Sequence, residues 1–331
     1  MTLDSRQLIS KRRLLQTLSL AALGSQASAL LAQESNKVIE WVHPYPAGGG
    51  SDAIARKVAE SLGKQLGRSI AINNKPGGAT NIAAAYVASS KANGNMLFTG
   101  DFATLAANPH LFSGLSYNSA RDFTPVGLYA RYPIFLVTSS NVPAKNLNEF
   151  LVWAKANPEK ATFASSGIGS PQHLAAELFR ERTGLTMTHV AYRGGAPAVL
   201  DLMNGQVSFA LMDASTIVPQ MKSGRLQVIG VASPQRLKNY PDIPTLNEQG
   251  LAGYEAFAWQ GLLVPSGTSP EMVTTLNKAL ENVMKSPSVI QFFEGIAVEP
   301  WFTSPAEMQR FVTAENTRWG KIIRSQGITL Q

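Results

Sequence analysis

Short apolar runs alternate along this chain with segments in which apolar residues recur every three or four positions. The short runs predict buried strands, whereas a period near 3.6 residues predicts amphipathic helices. Regular alternation of the two is typical of proteins in which helices flank a largely parallel sheet. The pattern therefore predicts an α/β fold.

The predicted elements cover most of the chain after residue 37. Strands are predicted at 38–43, 69–73, 96–99, 134–138, 161–165, 188–191, 207–212, 228–232 and 261–264. Helices are predicted at 51–66, 81–90, 147–156, 171–183, 197–204, 215–222, 270–285 and 305–324. The first helix shows the pattern well, because Ile54, Val58, Leu62 and Leu66 share one stripe.

Two extended stretches, around 134–139 and 257–264, have the character of crossovers between two lobes. A length of 331 residues fits two domains of the usual size, about 150 residues each. We predict one lobe from residues 37–136 plus 262–331 and a second from residues 137–261.

The N-terminus has the composition of an export signal. Arg6, Lys11, Arg12 and Arg13 precede a mostly apolar stretch at 14–24, which is too short to span a membrane. Small-residue cleavage sites follow at 27–29 and at Ala32. We predict a signal peptide over residues 1–32, by the Sec or the twin-arginine route, and a periplasmic location. An amphipathic N-terminal helix is the alternative.

The net charge and the absence of cysteine exclude several classes of function. The net charge of +7 would suggest a nucleic-acid partner. Loss of residues 1–32 removes four basic residues and one acid, which leaves +4, so we expect no nucleic-acid binding. The absence of cysteine excludes disulfides, thiolate metal sites and a lipid-anchored cysteine. The four histidines lack metal-ligand spacing, and we expect no cofactor or metal.

The segment from Tyr45 to Asp52 is rich in glycine and joins the first predicted strand to the first helix. Glycines let a backbone approach a ligand closely, and a helix N-terminus offers unpaired N–H groups to an anion. The alternative is an ordinary turn capped by Ser51 or Asp52. The candidate ligand-binding residues here are Tyr45, Ala47, Gly48, Gly49, Gly50, Ser51 and Asp52.

A second turn of the same kind lies at 165–171. Ser170 is placed to cap the following helix and Pro171 to occupy its first position. His173 in the first helical turn is either a packing residue or a ligand contact. A third turn contributes Arg193, which either pairs with a carboxylate or stays on the surface. The candidates from these turns are Ser166, Gly167, Gly169, Ser170, His173 and Arg193.

Two acids follow predicted strands, Asp101 after 96–99 and Asp213 after 207–212. Ligands of open α/β sheets bind outside the carboxyl ends of strands, so both are candidate ligand-binding residues. Asp213 is equally well placed to cap the next helix.

The sequence lacks the signature motifs of several enzyme classes. Residues 48–53 resemble a dinucleotide fingerprint, but the next strand ends at 73–76 without an acid for the ribose. A secreted hydrolase using Ser166 and His173 stays an alternative, although neither Ser165 nor Ser166 has a Gly-x-Ser-x-Gly surrounding.

A series of motifs in fixed order carries a family resemblance over residues 37–329. The motifs lie at 46–52, 74–81, 142–145, 154–158, 165–167, 189–194, 205–207, 242–246 and 259–265. Through them the chain resembles the substrate-binding proteins of tripartite tricarboxylate transporters, known as Bug receptors.

The resemblance implies a periplasmic-binding-protein fold of the Venus-flytrap, type II-like kind, with a mixed sheet flanked by helices in each of two lobes. It implies a non-enzymatic monomer that captures a small carboxylate, is not inserted in the membrane once mature, and delivers its ligand to the permease subunits of the transporter. The turns at 48–52 and 166–170 would hold one carboxylate, and Asp213 would contact the distal part of the ligand. A ligand-sensing module for a signalling partner is a further alternative.

Two positions depart from the family pattern. Asp101 stands where the family often has Ser or Thr, which disfavours a second ligand carboxylate or pairs with a ligand donor. Arg193 replaces the commoner Lys, which favours bidentate pairing if it faces the cleft.

Overall fold

The structure, a computed structural model, describes residues 38–330. The predicted signal peptide over 1–32 lies outside the described residues. Among the helices of residues 38–330, none combines the length and the apolar character needed to cross a bilayer.

The described chain contains ten strands and ten α-helices, together with short 3₁₀ turns at Gly78–Thr80 and Val218–Ser223 and a π-helical turn at Ala103–Ala107. The strands are β1 Ile39–His43, β2 Ile70–Asn74, β3 Met96–Asp101, β4 Phe123–Ser139, β5 Thr162–Ser165, β6 Thr188–Ala191, β7 Phe209–Asp213, β8 Leu226–Val231, β9 Phe257–Pro265 and β10 Glu299–Pro300. The helices are α1 Gly50–Leu66, α2 Asn81–Ala88, α3 Asn108–Leu111, α4 Leu147–Ala156, α5 Pro171–Thr183, α6 Gly195–Met203, α7 Ala214–Ile217, α8 Pro270–Met284, α9 Pro287–Gly295 and α10 Pro305–Ser325.

The strands follow the order β2-β1-β3-β9-β4-β7-β5-β6, with β8 and β10 also paired to β4. Pairs β1–β2, β1–β3, β5–β6 and β5–β7 are parallel, whereas β9 runs antiparallel to β3 and β4. The first part of β4 pairs with β9, and its last part pairs with β7 and β8. The sheet therefore has two mixed halves joined by β4, and the predicted two-lobed α/β fold is confirmed.

The chain crosses between the two halves twice, and the two crossings lie side by side. Pro133 pairs with Phe257 in the first half, and Ile134 pairs with Asp213 in the second. The return segment lies alongside, because the N–H of Ala232 donates to the carbonyl of Ile134 at 2.8 Å. Strand β9 pairs only with β3 and β4. The domain limits at 136/137 and 261/262 stay a prediction.

Strand β4 is much longer than the predicted strand at 134–138. Nearly all of its residues are buried, so the alternation that marks a half-exposed strand is missing. Register shifts between Pro125 and Gly127 and between Leu128 and Ala130 further interrupt the pattern. These features explain why the first part of β4 was not predicted.

Local start signals explain the helices that the sequence predicted well. Ser170, Ser269 and Ser304 cap α5, α8 and α10, and each is followed by a proline at the first helical position. Helices α4 and α5 have the predicted bounds, whereas α3 and α9 were not predicted.

Candidate functional site

A cavity of about 490 Å³ lies between the two lobes and brings together predicted residues from both. Strand β1 and helix α1 position the first turn, and β5 and α5 position the second. The predicted site residues that border the cavity are Tyr45, Gly50, Ser51, Asp101, Ser166, Gly167, Gly169, Ser170 and Asp213.

The other predicted residues do not border this cavity. The backbone around Gly48 is exposed, and so is the side chain of Arg193. The side chains of Asp52 and His173 are buried behind the two turns. These residues are Ala47, Gly48, Gly49, Asp52, His173 and Arg193, and a direct ligand contact for each stays a prediction.

The first turn is fastened by Asp52. Its carboxylate accepts hydrogen bonds from the N–H of Gly48 at 2.9 Å, Nε of Arg56 at 2.8 Å and Nδ2 of Asn74 at 2.8 Å. Burial alone would raise the pKa of Asp52, but these three donors lower it to about 2. The turn therefore keeps its shape over the physiological pH range.

Helix α1 begins without a side-chain cap, because its N-cap is Gly49. The alternative prediction, that Ser51 or Asp52 caps this helix, is therefore wrong. The first N–H groups of α1 have no partner within the helix, and Gly50 and Ser51 border the cavity. This end of α1 therefore presents N–H donors and a partial positive charge to the cavity.

The Ser51 hydroxyl belongs to a ring of hydrogen bonds below the first turn. Ser51 Oγ lies 3.1 Å from Nε2 of His43 and accepts from Nε2 of Gln260 at 2.5 Å. Nδ1 of His43 lies 3.1 Å from Oγ1 of Thr99, which lies 3.1 Å from the hydroxyl of Tyr129. Tyr129 donates to Oε1 of Gln260 at 3.2 Å and closes the ring. The position of Ser51 is thus set by α1 and by the four strands β1, β3, β4 and β9, which carry the other members of the ring.

His43 stays neutral at physiological pH. Burial lowers its pKa to about 4, against the opposing effect of the Asp52 charge. A neutral imidazole has one donor and one acceptor nitrogen, which suits a ring in which each group donates once.

The second turn uses several of its N–H groups internally. Ser170 Oγ accepts from the N–H of His173, which confirms the predicted cap. The N–H of Gly169 donates to Nδ1 of His173 at 3.0 Å, and the N–H of Gly167 donates to Oγ of Ser165 at 3.1 Å. The hydroxyl of Ser166 donates to the sulfur of Met212 at 3.8 Å and borders the cavity. The group that this turn presents to the cavity is therefore the Ser166 hydroxyl, since the backbone N–H groups of Gly167 and Gly169 are already hydrogen-bonded within the turn.

The geometry around His173 contradicts the hydrolase alternative. Nδ1 accepts the N–H of Gly169, and Nε2 lies 3.5 Å from Oε1 of the buried Glu177. The ring also stacks on His189, with 4.0 Å between centroids. Both nitrogens of His173 are thus engaged away from Ser166, so the pair lacks the nucleophile–base hydrogen bond that catalysis requires.

Asp101 lies at the end of β3, where the sheet register places it opposite Gln260 of β9. Oδ1 accepts the N–H of Thr104 at 2.8 Å, and Oδ2 accepts the hydroxyl of Tyr45. Burial raises the pKa of Asp101, although both hydrogen bonds oppose the shift.

Asp213 faces the cavity from the second lobe. Its carboxylate accepts from Nε2 of Gln172 at 2.6 Å, from Oγ of Ser215 at 2.9 Å and from the hydroxyl of Thr216. Asp213 occupies the N-cap position of α7 without a side-chain bond to a backbone N–H. Its neighbours thus hold the carboxylate in place through side chains.

Several cavity residues were not predicted. Tyr132 and Gln260 lie within strands, where a polar residue gives no sequence signal unless the register is known. Ala79 and Thr80 adopt positive φ angles of 50° and 79°, which are uncommon for residues other than glycine. Nδ2 of Asn108 donates to the carbonyl of Ala79 at 2.6 Å and holds this strained wall of the cavity.

Metal binding has no support in this part of the chain. Among residues 38–330, no group of three or more His, Asp or Glu side chains has the arrangement of a metal site. The described residues that border the cavity include two carboxylates, Asp101 and Asp213, and no lysine, arginine or histidine.

Known proteins resemble this chain over nearly its whole length. Protein BugT of Bordetella pertussis is 30% identical over 294 residues, which are 88% of this chain and 90% of BugT. The structure of R. palustris Rpa4515 with adipate is 34% identical and has a TM-score of 0.80, covering 88% of this chain and 98% of that one. MatC from Rhodopseudomonas palustris with bound malate is 29% identical and has a TM-score of 0.75, covering 86% and 98%.

Residues 54–328 match the family described as the tripartite tricarboxylate transporter family receptor, TctC. This match includes both lobes and most of the cavity. The chain therefore belongs to the tripartite tricarboxylate transporter receptor family, whose members are substrate-binding receptors and not enzymes.

Proposed function

We propose that this protein is a periplasmic receptor that binds a small carboxylate between its lobes and delivers it to the permease of a tripartite tricarboxylate transporter. The observation that carries the proposal is that the N-terminal residues of α1 and α5 border one cavity from opposite lobes. The ligands named for the relatives, adipate and malate, are small carboxylates. The predicted signal peptide supports export to the periplasm.

The carboxylate would lie at the N-terminus of α1, close to Gly50 and Ser51. Each charged hydrogen bond contributes about 1.5–3 kcal/mol. Two or three of them would supply much of the ~8 kcal/mol that corresponds to micromolar affinity. The Ser166 hydroxyl supplies a further contact from the other lobe.

Ligand contacts from both lobes would favour a closed arrangement, since a ligand shifts an equilibrium only by its differential affinity for the two states. The permease would then recognise the closed receptor. One chain provides a complete cavity, and we propose that the receptor works as a monomer.

The proposal is tested by thermal unfolding of the mature chain, freed of co-purified ligand by unfolding and refolding, with a library of small organic acids. A carboxylate that binds will raise Tm with a saturating concentration dependence. Ser51→Ala breaks the ring of hydrogen bonds that joins His43 to Gln260 beside the N-terminus of α1, and should weaken binding about 2- to 10-fold, which corresponds to ~0.5–1.5 kcal/mol.

Ser89→Ala is the matched control, because Ser89 is exposed and its hydroxyl donates to the carbonyl of Tyr86 away from the cavity. Its affinity should equal that of the wild type. The proposal fails if no acid in the library shifts Tm at millimolar concentration.

A further inference from the structure

Each lobe contributes a carboxyl group to the cavity, and the described bordering residues provide no cationic side chain beside them. Asp101 borders it from the first lobe and Asp213 from the second, and the described bordering residues include no lysine, arginine or histidine. Helix N-termini and backbone amides are the sources of positive potential that remain.

Asp101 leaves the first-lobe wall rich in acceptors. The side chain is 2% exposed and accepts from Thr104 and Tyr45. Since the Tyr45 hydroxyl donates its one proton to Asp101, the phenolic oxygen can offer only lone pairs to a ligand. Asp101 and Tyr45 together therefore match a ligand donor.

The opposite wall has an acceptor that no described residue satisfies. Gln172 is 7% exposed and borders the cavity, and its Nε2 donates to Asp213. This bond orients the amide, whose Oε1 has no hydrogen-bonding partner among the described residues. Oε1 has less than 1 Å² of accessible surface, so what Gln172 contributes to this wall is the bond that holds the carboxylate of Asp213 in place.

A second ligand carboxylate fits these walls poorly. It would bring a negative charge towards two carboxylates and lone pairs, and like charges in a partly buried site repel each other. An ammonium group instead carries a positive charge and three N–H donors. The carboxyl groups of Asp101 and Asp213 thus complement a protonated amine.

We propose that the receptor prefers carboxylates that carry a protonated amine over dicarboxylates of the same length. This inference rests on the proposed function, in which the N-terminus of α1 holds the carboxylate. The amine lies between the acidic walls and pairs with Asp101 and Asp213.

Isothermal titration of the ligand-free mature protein with three matched pairs tests the inference. The pairs are succinate with 4-aminobutanoate, glutarate with 5-aminopentanoate, and adipate with 6-aminohexanoate. In the pair whose length fits the cavity, the amino acid should bind at least 10-fold more tightly than the dicarboxylate. Tighter binding of the dicarboxylate in every pair that binds overturns the inference and leaves the proposed function standing.

Two variants locate the preference. Asp101→Asn and Asp213→Asn should each reduce the ratio of the two affinities about 10-fold or more, and Asp213→Asn keeps the test available if the buried Asp101 variant does not fold. Asp242→Asn is the matched control, since Asp242 is exposed and does not border the cavity. An unchanged ratio in both cavity variants overturns the inference. Absence of binding by all six compounds counts against the proposed function itself.

Discussion

At the scale of single residues, His43 couples the first turn to the buried strands without bearing a charge. Its ring joins Thr99 to Ser51, and its pKa lies near 4 because the ring is buried. In an unfolded chain the pKa of histidine is about 6.5. The unfolded state therefore binds more protons than the folded state between these two values.

This difference predicts how stability depends on pH. The contribution of His43 is fully present above pH 6.5 and is lost as the pH falls towards 4, by about 3 kcal/mol. Urea unfolding at a series of pH values measures the slope, which should be smaller in His43→Asn. Part of the slope should remain in the variant, because the pKa of His189 is also lowered to about 4. Burial is the main cause of that shift, and the neighbouring His173 is the second. A variant with the wild-type slope would show that His43 titrates normally.

Residue types alone revealed the acids at strand ends, but not the residues that orient them. Asp101 and Asp213 were predicted because ligands of open α/β sheets bind outside the carboxyl ends of strands. Gln260 and Gln172 were missed, since their partners lie 209 and 41 positions away in the chain. Only the sheet register and the packing of α5 bring these partners together.

At the scale of secondary structure, helix starts were predicted well because their signals are local. Ser170 and Ser269 each cap a helix that begins with proline, and both caps are visible in the sequence. The turn at 103–107 was missed because its wider helical hydrogen bonding has no simple residue signature. The positive φ angles of Ala79 and Thr80 were missed as well, because neither residue type indicates such a conformation in a sequence.

The two serine caps separate a structural effect from a binding effect. Ser170→Ala and Ser269→Ala should each lower the free energy of unfolding by about 1 kcal/mol, since each removes a hydrogen bond to an unpaired N–H. Ser170 also borders the cavity, whereas Ser269 does not. We expect weaker ligand binding only in Ser170→Ala. If the two variants bind the ligand with equal affinity, Ser170 acts as a helix cap and does not contribute to ligand binding.

At the scale of the whole molecule, both lobes contribute to one cavity, and ligand binding should draw them together. The radius of gyration of a compact chain of this size is about 19 Å. Small-angle X-ray scattering should show a decrease when the mature protein is saturated with a ligand found by thermal shift. An acid that gives no thermal shift should leave the scattering unchanged. Identical curves with and without a saturating ligand would contradict closure.

Strand β4 sets the mechanical character of any such movement. Because the strand is continuous through Pro133 and Ile134, the lobes cannot swing freely about a loop, and any rotation has to twist the strand itself. Pro133 has no N–H to donate to the ladder, so the twist meets least resistance beside it. We therefore expect the elastic resistance of β4 to twisting to oppose closure and to help reopen the lobes once the ligand leaves.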